Sequence, residues 1–429
     1  MKKNLVRAVL VASLSLFFAG AAFTATPAVA ADAKDAAKPK ISKALSKPLS
    51  DAQKAFAAKD WATMIAKMKE AQALTDLTDY DKYIVNYFSG LAYYNSGDKA
   101  SATPYFVAAA ESAAPPPEDQ ATALRIALDL ENDAKDYAKV IELGQRAAKA
   151  GPVDGGVAAE VAIAYYETGD FANAKVYAQK SIDAATAAGK IPERAAYQII
   201  MNSQSGQKDI PGAIKTLEMM SNLYGAAEDW GRLIDVSLGS LPAGSKAREV
   251  AALYMYRLRL TVGADTSADD YLLMNDMAMG QHYPGDAVSA LEKGLDSGKV
   301  GQAKGAGLLA KAKAAANADQ GTLAAADAVA AKSPSSNGDV SVAEDYYGYA
   351  MFPDAVRVAQ RAIAKGGAKA AEAQLLLGVA QAQLGDNATA TQSLALVKGD
   401  PALERAAYLW TIYTTRKYGA AAAPAPTGK

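Results

Sequence analysis

Apolar residues along this chain recur every three or four positions. In residues 84–94 (IVNYFSGLAYY), 157–166 (VAAEVAIAYY) and 371–384 (AEAQLLLGVAQAQL) they fall at helical spacing and never in the alternation of a half-buried strand. Pro and Gly mostly lie between such stretches. Pro104 is the exception, and it sits near the first turn of its predicted helix, where a missing N–H costs least. The pattern therefore predicts an all-α chain. One short motif closes the apolar stretches: Gly97-Asp98-Lys99 with Ala102, Gly169-Asp170-Phe171 with Ala174, and Gly385-Asp386-Asn387 with Ala390. Glycine can end a helix in the left-handed conformation, and the Asp after it can cap the next helix. Looser copies are Lys59-Asp60-Trp61, Lys135-Asp136-Tyr137, Asp209-Ile210 with Ala213, Tyr283-Pro284 with Ala287, and Phe352-Pro353 with Ala355. The same spacing calls for breaks near Ser245-Lys246 and Asp319-Gln320, and the mean interval between anchors is about 36 residues.

Two helices and two tight turns fill such an interval. In the best copy Gly90 and Tyr93 lie on the first helix, and Ala102, Phe106 and Ala109 on the second; Val161, Tyr165, Ala174 and Ser181, and then Gly378, Ala390 and Leu394, repeat the arrangement. Small residues at these positions let helix axes approach, and the rings fill the wider gaps. These residues resemble the tetratricopeptide repeat family over roughly residues 48–417. The resemblance implies a right-handed α-solenoid of about ten helix–turn–helix repeats, spanning 48–399. After it, residues 400–418 begin with Pro401-Ala402-Leu403-Glu404 and read as a capping helix, with Leu409, Trp410 and Tyr413 apolar and Arg405, Arg416 and Lys417 facing water.

The ends of the chain carry a different composition. Lys2, Lys3 and Arg7 precede an apolar or small stretch at 9–23, and Ala28-Val29-Ala30 offers a small-x-small cleavage site. Residues 1–30 therefore read as a signal peptide. The apolar core is shorter than the ~20 residues a membrane span needs. The expected address is the periplasm, with secretion as the alternative. Residues 31–47, rich in Ala, Lys and Asp, read as a flexible linker, and the Ala/Pro-rich stretch 419–429 as a disordered tail.

Composition narrows the chemistry. The 429 residues include no Cys and a single His, His282, so thiolate sites, multi-histidine metal sites and lipid attachment at a leader cysteine are excluded. A formal charge of −1, falling to −4 once Lys2, Lys3 and Arg7 leave with the leader, gives no reason to expect nucleic acid. No transmembrane segment is predicted in the mature chain. His282 falls at a predicted turn. Asp265, Ser267, Asp269 and Asp276 match positions 1, 3, 5 and 12 of a calcium loop, but Asp270 stands where that loop needs glycine; they read better as acids at a helix start. No catalytic, metal or cofactor residue is assigned, and the chain is expected not to be an enzyme.

Binding is the stronger expectation. By the resemblance, first-helix positions line the inner face of the array: Tyr87, Leu91, Tyr94 and Asn95 in the second repeat, Arg125, Asp129 and Asn132 in the third, Ile163 and Tyr166 in the fourth, Gln198 and Asn202 in the fifth, and Tyr347 in the ninth. Tyrosines among amides and one Arg suit a protein or peptide partner, with a glycan as the alternative. The family's carboxylate clamp for chaperone tails is not matched, because Leu91 and Asp129 stand where it would want polar or basic groups. The sequence thus describes an exported interaction scaffold of the bacterial envelope. Its rivals are an accessory protein of peptidoglycan or polysaccharide machinery, and a hydrolase using an Asp/Glu pair.

Overall fold

The structure, a computed structural model, describes residues 40–150, 153–241, 246–264 and 266–416. The leader, the first part of the linker and the tail at 419–429 lie outside these residues. Twenty α-helices and no strand are found among the described residues, in line with the all-α expectation. They divide into two units, one ending at Lys208 and one beginning at Asp209.

The first unit holds α1 (Lys43–Ala57), α2 (Trp61–Gln72), α3 (Asp79–Ser96), α4 (Lys99–Glu111), α5 (Pro117–Ala134), α6 (Tyr137–Ala150), α7 (Gly155–Glu167), α8 (Phe171–Ala187) and α9 (Arg194–Gly206). The linker ends sooner than expected, because Ser42 Oγ accepts the Leu45 N–H at 3.3 Å and starts α1 at Lys43. Pro48, read as the boundary, sits inside this helix, which burial of Leu45, Leu49 and Ala52 holds in place. Successive helices pack as hairpins, and the first helices α5, α7 and α9 lie side by side. The small positions do what their spacing promised: a Cβ on Gly90 would stand 2.9 Å from the Phe106 ring.

The motif turns share one geometry. Gly97, Gly169 and Gly385 have positive φ, and Asp98, Asp170 and Asp386 each accept an N–H three residues on, at 3.0 to 3.2 Å. Lys59, Lys135, Lys208, His282 and Ala350 take the same left-handed conformation without being glycine, at φ 57 to 64°. The looser copies therefore turn as the best ones do.

The second unit contains α10 (Ile210–Tyr224), α11 (Ala227–Ser240), α12 (Lys246–Val262), α13 (Ala268–Gly280), α14 (Pro284–Asp296), α15 (Gln302–Lys332), α16 (Asn337–Gly348), α17 (Phe352–Lys365), α18 (Ala370–Gln383), α19 (Asn387–Ala395) and α20 (Pro401–Thr414). One expectation fails here. The break at Asp319-Gln320 is absent: α15 runs unbroken through 31 residues, because alanines with high helix propensity surround the site and neither a proline nor a Gly-Asp pair interrupts them.

The last helix, expected as a cap, packs on α18 and α19 and also reaches earlier helices of the unit. It returns to α10, α11 and α12: Arg405 Nη1 donates to Glu218 Oε1 at 2.6 Å and its Nη2 to Ser237 Oγ at 2.8 Å, and Trp410 Nε1 donates to the Tyr254 carbonyl at 3.0 Å. Arg405, expected to face water, is therefore engaged. Helix α12 is enclosed as a result, and every residue from 253 to 259 is buried. Helices α14 and α16 meet backbone to backbone, so that a Cβ on Gly285 would stand 2.6 Å from the Gly348 carbonyl group. Gly285→Ala is accordingly expected to cost about 1–3 kcal/mol, read as a lower urea midpoint with little change in helical content at zero denaturant.

Candidate functional site

The expected inner-face residues separate into two sets. Arg125, Asp129 and Asn132 lie one turn apart on α5, Ile163 and Tyr166 on α7, and Gln198 and Asn202 on α9; all are partly exposed. The side-by-side packing of these helices joins them into one polar and aromatic strip. Asn132 Nδ2 donates to Glu160 Oε2 across the α5–α7 boundary at 2.7 Å, while Asn132 Oδ1 is buried without a hydrogen-bond partner. Arg125 Nε stands 3.9 Å from Asp154 Oδ1 ahead of α7, and the Tyr166 ring lies 5.8 Å from that of Phe171. At the edge of the strip the Lys99 ammonium meets Asp133 at 2.5 Å, and that hydrogen bond holds its pKa above the ordinary value.

The second repeat contributes less than expected. Tyr94 is half-buried, and Asn95 directs its amide to the Leu91 carbonyl of its own helix at 2.8 Å. Tyr87 and Leu91 are core residues, 3% and 0% exposed. Tyr87 stacks on Tyr83 with centroids 5.9 Å apart and meets Phe106 edge-on at 5.8 Å. Helix α3 is surrounded by its neighbours α1, α2 and α4, and Tyr83 also donates to the Asp119 carbonyl of α5. The stripe that the resemblance assigned to a groove is thus covered at Tyr87 and Leu91. Sequence reading also missed a cleft of about 470 Å³ at the start of α3, where Asp79, Lys82, Tyr83 and Asn86 face the connection after α4 that holds Ser112.

Tyr347 is likewise no groove residue. Its ring lies 4.3 Å from the Arg257 guanidinium carbon, and its hydroxyl accepts from Gln383 Nε2 at 3.0 Å. Arg257, on α12, is the centre of a buried ion cluster: its Nε and Nη2 donate to the two oxygens of Asp286 at 2.8 and 2.7 Å, and its Nη1 to Glu344 Oε2 at 2.6 Å. The Tyr254 hydroxyl donates to the other Glu344 oxygen at 2.5 Å. Burial opposes the guanidinium charge, but the Asp286 and Glu344 carboxylates outweigh it and hold the pKa above its ordinary value. A second cluster joins α15, α16 and α17, with Arg361 between Asp327 at 2.5 Å and Asp339 at 2.7 Å.

The remaining chemical candidates resolve into structural parts. His282 is an exposed turn residue with φ 64°. Ser267 and Asp270 form a reciprocal capping box at the start of α13, and Asp269 stands in its first turn; Asp265 lies outside the described residues. Among the described residues no three His, Asp or Glu side chains converge as a metal site, and no helix is long and apolar enough to cross a membrane.

The turns, the hairpins and the strip define an all-α protein built of helical-hairpin repeats. No protein-family model and no curated protein matches the sequence. Similar solved structures include a tetratricopeptide repeat protein from Parabacteroides merdae, at 11% identity with 63% of this chain and 100% of that one covered and a TM-score of 0.35. The Naa15/Naa10 complex bound to HypK-THB is matched at 12% identity, with 82% of this chain and 63% of that one covered and a TM-score of 0.36. The TPR domain of P58(IPK) is matched at 12% identity, with 86% and 98% covered and a TM-score of 0.22. With TM-scores this low, the repeat architecture of this chain stands on its own turns and helix pairs.

Burial separates the two sets energetically. Arg257→Met leaves Asp286 and Glu344 buried without their cation and is expected to cost about 3–5 kcal/mol. Arg125→Ala removes an exposed charge and is expected to stay within about 1 kcal/mol. Urea unfolding of the two variants, followed by circular dichroism, checks both.

Proposed function

We propose that this protein is an exported, non-enzymatic interaction scaffold of the bacterial cell envelope, holding a protein or peptide partner on the face made by α5, α7 and α9. The observation that carries this reading is the strip on those helices, where Arg125, Asp129, Tyr166, Gln198 and Asn202 are all partly exposed on helices that lie side by side. Amide and carboxylate groups at this spacing can pair with an extended backbone, and the rings add apolar area.

A glycan is the second reading, and the cleft beside Tyr83 favours it. There the Asp79 carboxylate, the Asn86 amide and the Ser112 hydroxyl line one cleft, polar groups of the kind that bond sugar hydroxyls. An accessory role in peptidoglycan or polysaccharide machinery would follow from it.

Support for export comes from the basic n-region, the short apolar stretch and Ala28-Val29-Ala30. The intact mass of the protein from a periplasmic fraction is expected to begin at Ala31; a chain retaining Met1 refutes the address. For the partner, crosslinking in the envelope is compared between the native chain and the Arg125→Ala, Asp129→Ala, Asn132→Ala triple variant. The expected result is a discrete protein lost from the triple variant while its melting curve is unchanged. Retention on wall fragments or a sugar array, insensitive to the triple variant and lost on Asn86→Ala, moves the assignment to the glycan. Tyr87→Ala is expected to cost about 3–5 kcal/mol as a core truncation, so it cannot serve as a binding-face variant.

A further inference from the structure

The buried charge around Arg257 does not balance. One guanidinium on α12 faces Asp286 from α14 and Glu344 from α16. Beside Glu344 stands Asp345, whose Oδ1 is buried and has no hydrogen-bond partner. Asp319 of α15 acts on the same carboxyl and is itself held by the Tyr349 hydroxyl at 2.6 Å. Tyr283, in the turn before α14, lies within electrostatic reach of Asp345, of Glu344 and of Glu372 from α18. On α17, Arg357 and Arg361 are engaged with Asp327 and Asp339. Arg257 bonds Asp286 and Glu344 and leaves the Asp345 carboxyl without a cation of its own.

A carboxylate without a partner is the costly form in such a place. Burial first, and then the charges of Asp319, Glu344 and Asp286, push the Asp345 carboxyl up to about 8, with Arg257 pulling the other way. The location matters as much as the charge. Asp345 lies three residues before Gly348, whose backbone abuts Gly285, and a Cβ on Gly348 would meet Asp286 Oδ2 at 3.1 Å. The closest backbone approach in this region thus adjoins the unbalanced cluster.

We propose that Asp345 is a pH-sensitive latch of the second unit: as a neutral acid it lets α14 and α16 close over Arg257, and as a carboxylate it loosens that closure. The sign follows from linkage. A carboxyl whose folded value lies above its unfolded value of 3.8 contributes stability that is complete below that pH and is lost as pH rises toward about 8. The closure is therefore tight in mildly acidic surroundings and weak in alkaline ones. Trp230 and Trp410 are both buried in this unit, and the Trp410 bond to the Tyr254 carbonyl ties its environment to α12.

Two measurements test the latch. Carbon NMR titration of the Asp345 carboxyl in the native chain, assigned by its absence from Asp345→Asn, is expected to show its inflection well above pH 6; an inflection below about pH 5 overturns the proposal. Urea unfolding followed by tryptophan emission, from about pH 6 to about pH 9, is expected to show a falling midpoint for the native chain and a flatter profile for Asp345→Asn. Parallel profiles overturn it. Should Asp345→Asn fail to fold, Asp345→Ser replaces it in the unfolding series, and the titration, assigned by sequential backbone connectivity, stands alone.

Discussion

Reversing an α-helix within two or three residues strands the last carbonyls of one helix and the first amides of the next, and a protein built from such reversals must satisfy them each time. Here the solution is a left-handed residue followed by a residue that starts the next helix. Where that second residue is Asp, its carboxylate accepts an amide from the next helix's first turn, as Asp98, Asp170 and Asp386 do. The reversal brings the two helices together at the angle at which Gly90 can meet Phe106 and Gly378 can meet Leu394. A single pair formed this way still has apolar surface on both flanks, which is why pairs stack and why the core of the first unit runs through its successive helices.

The second unit shows what happens when stacking turns inward. Seven consecutive buried residues on α12 leave no side for solvent, so the two arginines in that stretch need partners from other helices. Arg257 takes Asp286 and Glu344, and Arg259 takes Asp270 and Asp235. Each pair converts a position along α12 into a fixed contact with a distant helix.

Much of this was legible in the residues. The spacing of Gly97-Asp98, Gly169-Asp170 and Gly385-Asp386 located the hairpins, and the all-α class followed from the helical period of the apolar positions. Most of the failures share a physical cause: they depended on what a helix touches outside itself. The family resemblance placed Tyr87 and Leu91 on an inner stripe but could not show that neighbouring helices cover it here. Arg405 has the polarity of a surface residue, and only the return of α20 to Glu218, 187 positions away in sequence, takes it from water. Asp345 looks like any helical acid until the charges of Asp319, Asp286 and Arg257 act on it from other helices. At Asp319-Gln320 the error was local, because period alone was allowed to ask for a turn that no residue there encodes.

Five of the reversals place Lys59, Lys135, Lys208, His282 and Ala350 where glycine is easiest. The left-handed conformation costs each of them about 1 kcal/mol or more. Asp60, Asp136 and Asp209 offset much of it by capping, and the other two reversals rely on Pro284 and Pro353 at the helix start. Because capping and stacking hold the shape, the glycine is dispensable at any one reversal so long as its neighbours remain. A lineage of such chains can lose its written signature one position at a time, each loss individually affordable, while its hairpins stay in place. Resemblance in sequence then fades well before resemblance in architecture.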